Sequence, residues 1–208
     1  MHYRRKTLLS RGLEKAIQRV SSEMMAHSKH VILPANRRVI YHLLDVNNPL
    51  ADRPVFKKLS IITAQYVLPI WQNAQFTDAI AEHMLNLATL VFENKISPNV
   101  ARTEADKAWE KMENLGANEE GRSMRNAFYA GQAAVECLIE VLGKDPFEGV
   151  RLVKNSIDSE LDPWSSDTAH WAVAAYVGSG SDMKSDSSKR QAFWNWWLQD
   201  AIPQSLNL

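Results

Sequence analysis

The chain has 208 residues, and 24 Lys and Arg balance 24 Asp and Glu. That length can bury a real core, and a formal net charge of zero supplies no whole-molecule pull toward nucleic acid, membrane or acidic mimicry. The one cysteine, Cys137, excludes an internal disulfide; set among Ala133, Val135 and Leu138, it reads as a small buried thiol suited to a reducing compartment.

The N-terminus, Met1-His-Tyr-Arg-Arg-Lys6, is basic, but no signal-type apolar run follows it and no segment approaches membrane-spanning length. A cytoplasmic protein is expected. Leu9, Leu13, Ile17, Val20 and Met24 step at helical spacing and predict an amphipathic first helix. Pro34 suits the first turn of a second helix with Val39, Ile40, Leu43 and Leu44 inward. The run from Asp45 to Pro54 is turn chemistry. A third helix, from about Val55 to Gln72, contains Pro69, so a kink or break is expected there.

Phe76, Ile80, Met84, Leu87, Val91 and Phe92 give a fourth stripe. Ser97-Pro98 caps a fifth helix carrying Ala101, Ala105, Ala108, Trp109 and Met112, which Gly116 can end. Met124, Phe128, Gly131, Val135, Leu138, Ile139 and Leu142 define a sixth. Its small residues between Ala127 and Ala134 permit close approach by a neighbour, and Gly143 stops it. Asp145-Pro146 opens a seventh helix with Phe147, Val150, Val153 and Ile157 inward. Ser165 or Ser166 caps an eighth with Trp171, Ala174, Ala175 and Tyr176. The polar segment 178–188 reads as a flexible loop, and residues 1–6 as a loose end. The short run Val31-Ile-Leu33 is the only strand candidate.

The last helix organises the chain. Three of the seven tryptophans, Trp194, Trp196 and Trp197, fall within four positions. Phe193, Trp194, Trp197, Leu198 and Ala201 share one helical arc, and Trp196 widens it past half the circumference. Aromatics at this density predict a helix inserted among others to close the core; a solvent-facing Trp anchor for a partner is the lesser reading. The fold class expected is all-α: a single-domain irregular bundle of eight or nine helices over residues 1–208.

Charge is unevenly spread. Residues 1–42 carry Arg4, Arg5, Lys6, Arg11, Lys15, Arg19, Lys29, Arg37 and Arg38 against Glu14 and Glu23. Residues 145–167 carry Asp145, Glu148, Asp158, Glu160, Asp162 and Asp167 against Arg151 and Lys154. The two regions are either partners across the fold or patches offered outward.

Catalytic and metal-binding patterns are thin. Glu82-His83 lacks the second histidine of a zinc helix, and His27 with His30 has no carboxylate or thiol to complete a set. Ser181-x-x-Lys184 is a chance-level match in a Gly/Ser segment. The stretch Asp162-Pro-Trp-Ser-Ser-Asp-Thr-Ala-His-Trp171 gathers carboxylates, a histidine and aromatics. A turn at Asp162-Pro-Trp164, serine caps and Asp167 in a first helical turn account for it more simply than acid–base work. No catalytic residue, metal site or cofactor is expected.

Three further stretches carry a resemblance. Leu33-Pro-Ala-Asn-Arg-Arg-Val-Ile-Tyr41, Ala64-Gln-Tyr-Val-Leu-Pro-Ile-Trp71 and, most specifically, Lys189-Arg-Gln-Ala-Phe-Trp-Asn-Trp-Trp-Leu-Gln-Asp-Ala-Ile-Pro203 are similar to segments of the fifth immunity-protein family of bacterial polymorphic toxin systems. Ala130-Gly-Gln-Ala-Ala-Val135 fits the same pattern. The resemblance implies an all-α protein that binds a toxin delivered by kin and blocks it; the neighbouring toxin in that family is often taken to be a nuclease. Gly178-Ser-Gly-Ser-Asp-Met183 departs from the family's Gly-Gly segment with an aromatic. The resemblance supplies no catalytic residues.

A cognate protein toxin is therefore the expected partner, with no membrane. Against a basic nuclease site, the acidic segment offers the contacts: Asp158, Glu160, Asp162 and Asp167, with Trp164 as anchor. A nucleic-acid-binding module using the basic N-terminal helices is the alternative, disfavoured because no base-reading motif is visible.

Overall fold

The computed structural model describes residues 10–46, 52–74, 79–117, 124–152, 156–158, 166–178 and 186–208. Among them there are helices and connections and no strand. The helices are α1 (Arg11–Ala26), α2 (Pro34–Leu44), α3 (Pro54–Gln72), α4 (Ile80–Phe92), α5 (Pro98–Ala117), α6 (Arg125–Val141), α7 (Thr168–Val177) and α8 (Ser187–Trp196). The last runs on without a break as a π-helical stretch, Trp197–Ala201, and a final α turn, Ile202–Ser205. No described helix is long and apolar enough to cross a membrane.

Helix α6 is the hub: it packs against α3, α4, α5 and α7. Its composition permits this. Ala127, Ala130, Gly131, Ala133 and Ala134 are all buried, so neighbouring backbones come close. A Cβ built on Gly131 would lie 2.7 Å from the Trp71 ring and 2.8 Å from Met112 Cε. Gly116 works the same way, because a Cβ there would lie 2.8 Å from Phe128 Cζ. That glycine makes room for a ring instead of ending α5, which runs one residue further.

The apolar stripes of α1 and α4 face inward as their spacing predicts, with Leu13, Val20, Met24, Ile80, Met84, Leu87 and Val91 buried. Pro69 neither ends nor breaks α3, which continues to Gln72. The first amides of α3 are held by an upstream carboxylate: Val55 N–H and Phe56 N–H donate to Asp45 at 3.2 and 3.0 Å. Val31 and Ile32 are buried but form no strand; they cross as extended chain between α1 and α2.

Two expectations are corrected. In α2 the inward face is Arg37, Ile40, Tyr41 and Leu44, and Val39 is exposed. The seventh helix over 146–157 is absent from the described part of that stretch. Asp145 instead closes a turn, its carboxylate accepting from Phe147 N–H at 2.9 Å, and Gly149 sits in the left-handed region at φ 70°, which halts helical propagation. Phe147 is nonetheless fully buried. Of the segment 178–188, Gly178 caps α7 at φ 81° and Asp186 caps α8; residues 179–185 and 1–9 lie outside the described set.

The tryptophan helix closes one core with the rest. Phe193, Trp194, Trp197, Leu198, Ala201 and Ile202 are buried. Helix α8 lies against α7 and α1, and the π stretch with the final turn lies on α3. Trp197 Nε1–H donates to Thr63 Oγ1 at 3.2 Å. The segment does keep one face in water, because Gln199 and Asp200 are exposed and Trp196 is only half-buried.

Candidate functional site

Most of the buried charge gathers where α2, α6, α7 and residues 156–158 meet. Arg37 projects from the inner face of α2 and is fully buried. Every guanidinium nitrogen is used: Nε donates to Asp167 at 2.7 Å, Nη1 to Ile32 O at 2.8 Å and Asp158 at 3.1 Å, and Nη2 to Asp158. The guanidinium also stands over the rings of Phe147 and Trp194, 5.8 and 5.9 Å from their centroids. Burial alone would lower its pKa, but the charges of Asp158 and Asp167 more than offset this and hold it well above the usual value.

Asp167 links three elements. It is the N-cap of α7, accepting from His170 N–H at 2.7 Å, so the cap is this aspartate and not Ser165 or Ser166. Its other oxygen accepts from Arg37 and from Tyr41 O–H at 2.9 Å. Tyr41 packs in turn on Phe56 and Trp197. Asp158 lies 3.3 Å from His170 Nδ1. Burial would raise its carboxyl, but Arg37 and His170 pull it well below the carboxylate range.

Glu140 of α6 lies beside this centre. It accepts from Thr168 N–H at 2.9 Å and Thr168 Oγ1–H at 2.7 Å, and it shares a hydrogen bond with Ser60 Oγ. Burial, then the charges of Glu136 and Asp167, lift its carboxyl to about 8. The hydrogen bonding agrees. Ser60 Oγ is also 3.2 Å from Phe56 O, and its single hydrogen cannot serve both acceptors. A proton on Glu140, donated to Ser60 Oγ, satisfies all of them. Glu136, one turn earlier, pairs with Lys144 at 2.8 Å, yet its Oε2 has no hydrogen-bond partner among the described residues. Burial lifts it to about 7.

Of the acidic residues expected to meet a partner, Asp158 and Asp167 are brought together here, around one arginine. Asp167 is wholly buried and the Asp158 side chain is 12 % exposed. Glu160, Asp162 and Trp164 lie outside the described residues. The basic and acidic stretches thus meet across the fold at Arg37. Elsewhere in the basic stretch, Arg11, Lys15 and Arg19 of α1 and Arg38 of α2 are exposed. Sequence reasoning missed Arg37, Tyr41, Glu136 and Glu140. The signal for the first two was their shared arc with Ile40 and Leu44; for the glutamates it was charge inside a helix otherwise made of small and apolar residues.

Elsewhere, a surface groove of about 420 Å³ between α4 and α5 is lined by Ile80, Met84, His83, Glu104 and Lys107, and its charges pair among themselves. His27 and His30 serve local backbone contacts, to Lys29 N–H and Met24 O. No group of three or more metal-ligating side chains forms among the described residues.

This arrangement ties helices together and offers no open cleft of reactive groups at Arg37. No curated protein is similar enough to the chain to match it. A family model described as Immunity protein Imm5 matches residues 17–204, from within α1 into the final helical turn. The match takes in the Arg37 centre and the tryptophan helix alike, and the chain belongs to the Imm5 family of immunity proteins.

Proposed function

We propose that the protein acts in the cytoplasm by binding a cognate protein toxin and occluding its active site or substrate channel, without catalysing a reaction itself. The family match along 17–204 carries this reading. The geometry supports it, because the acidic, histidine and tyrosine side chains nearest to a catalytic grouping are committed to Arg37 and to helix capping. If the toxin is a nuclease its site is basic, and an acidic surface speeds encounter with it.

The proposed contacts are Glu160, Asp162 and Trp164, in a segment flanked on each side by a ligand of Arg37. Asp158 and Asp167, the described residues on either side of that segment, are both held by Arg37. Their position dictates the test. Reversing Asp158 or Asp167 would unpair a buried cation and confound binding with folding. Reversing Glu160 and Asp162 to Lys changes none of the described ligands of Arg37. Co-expression with the toxin encoded beside this gene should restore growth for the wild type. The double reversal should slow association and flatten its salt dependence. Unchanged rates at all salt concentrations would rule the segment out, and failure of the wild type to bind or protect would rule out the function.

A further inference from the structure

Met24 and Met25 are neighbours in the last turn of α1 and have opposite surroundings. Successive helical residues point about 100° apart, so Met24 enters the core and is 0 % exposed, while Met25 is 48 % exposed. Met84 and Met112 are also buried, and Met124 is half-buried. Among the described residues, Met25 is the methionine whose side chain stands in solvent. Its sulfur has a partner. Gln191 Nε2–H donates to Met25 Sδ at 3.2 Å, and the preceding Arg190 donates through Nη1 to Lys29 O at 3.1 Å. The two bonds join the end of α1 and the turn after it to the start of the tryptophan helix. Gln191 is itself half-buried. A thioether is a weak acceptor, so an amide N–H aimed at one is underused.

We propose that Met25 is a reversible oxidation site, which reacts with a peroxide and places the resulting sulfoxide oxygen on the Gln191 amide. The sulfur attacks one peroxide oxygen. An S–O bond forms, the O–O bond breaks and sulfur loses two electrons; the leaving hydroxide takes up the proton of the transferred oxygen and departs as water. Access decides which methionine reacts, since peroxide does not reach a buried sulfur. The new bond is polar, with negative charge on oxygen, and an N–H already directed at the sulfur gives that oxygen a donor. Both side chains reach solvent, so they can part enough to admit one atom. In a core the same change disrupts packing. Here it exchanges a weak hydrogen bond for a stronger one between α1 and α8 and leaves the buried tryptophans seated. Methionine sulfoxide reductases reverse the reaction. The site stands independently of the proposed immunity function.

Two measurements on the full chain test this. In the first, the protein is treated with limiting hydrogen peroxide and sulfoxide at each methionine is followed by peptide mass spectrometry. Met25 should be oxidised about tenfold faster than Met24, Met84 and Met112, or more. Gln191→Leu should leave that preference in place, because exposure sets it. Comparable rates at the buried methionines, or no sulfoxide at Met25, would overturn the site. In the second, the side-chain N–H resonances of Gln191 are followed by NMR before and after oxidation. One of them should move downfield, and its exchange with water should slow several-fold. A sulfoxide reductase should reverse both changes, and Met25→Leu should abolish them. Sulfoxide at Met25 with the Gln191 resonances unmoved would overturn the placement of the oxygen and the strengthened contact between α1 and α8.

Discussion

Arg37 is a residue whose burial could be read from the sequence and whose partners could not. It stands three, four and seven positions before Ile40, Tyr41 and Leu44, on the inward arc of α2, so helical geometry alone takes it into the core. Its ligands Asp158 and Asp167 lie 121 and 130 positions away, beyond any local pattern. A buried cation between two carboxylates is stable only while all three are present. Arg37→Met should lower stability by about 3–5 kcal/mol, because it strands Asp167 and Asp158 as uncompensated charges. Arg37→Lys should recover only part of this, since an ammonium cannot match the fork that reaches Ile32 O and both aspartates. Urea unfolding of the two variants beside the wild type measures both effects.

At the scale of elements, the stripes of α1, α4, α5 and α6 were legible because each helix buries one face and exposes another. The stretch after α6 misled for a physical reason. Phe147, Val150, Val153 and Ile157 have helical spacing, but Gly149 and the Asp145 turn redirect the chain first. The cap of α7 was placed at a serine because hydroxyls and carboxylates cap alike; what selects Asp167 is Arg37, which sequence proximity cannot reveal. The small-residue stretch of α6 was read correctly as a close-approach surface. Gly131→Ala tests how close. Alanine favours a helix over glycine by about 1 kcal/mol, but its methyl would meet the buried Trp71 ring at 2.7 Å. Overpacking of that kind costs about 1–3 kcal/mol, so the melting temperature should fall. A rise would mean that Trp71 yields freely.

For the molecule as a whole, the interior glutamates set the response to pH. Unfolded, both carboxyls titrate near 4.5; folded, burial lifts Glu136 to about 7 and Glu140 to about 8. Between these values the folded chain keeps protons that the unfolded chain has released, so their contribution is complete below about 4.5 and is lost as pH rises through about 8. Asp158 works in the opposite direction, but only in strong acid. Stability should therefore decline from mildly acidic to mildly alkaline solution. Glu140→Gln, which keeps the donors and acceptors of the protonated acid, should flatten that decline. An unaltered profile in the variant would place the proton elsewhere. The seating of the tryptophan helix also has a temporal side. Trp194 and Trp197 reach Arg37, Tyr41 and Thr63, all of which are synthesised well before them. Until residues 194–197 have been made, α2 and α3 lack their indole cover. A growing polypeptide of this kind presents bare apolar surface to chaperones, and its core closes only once the tryptophan helix can be seated.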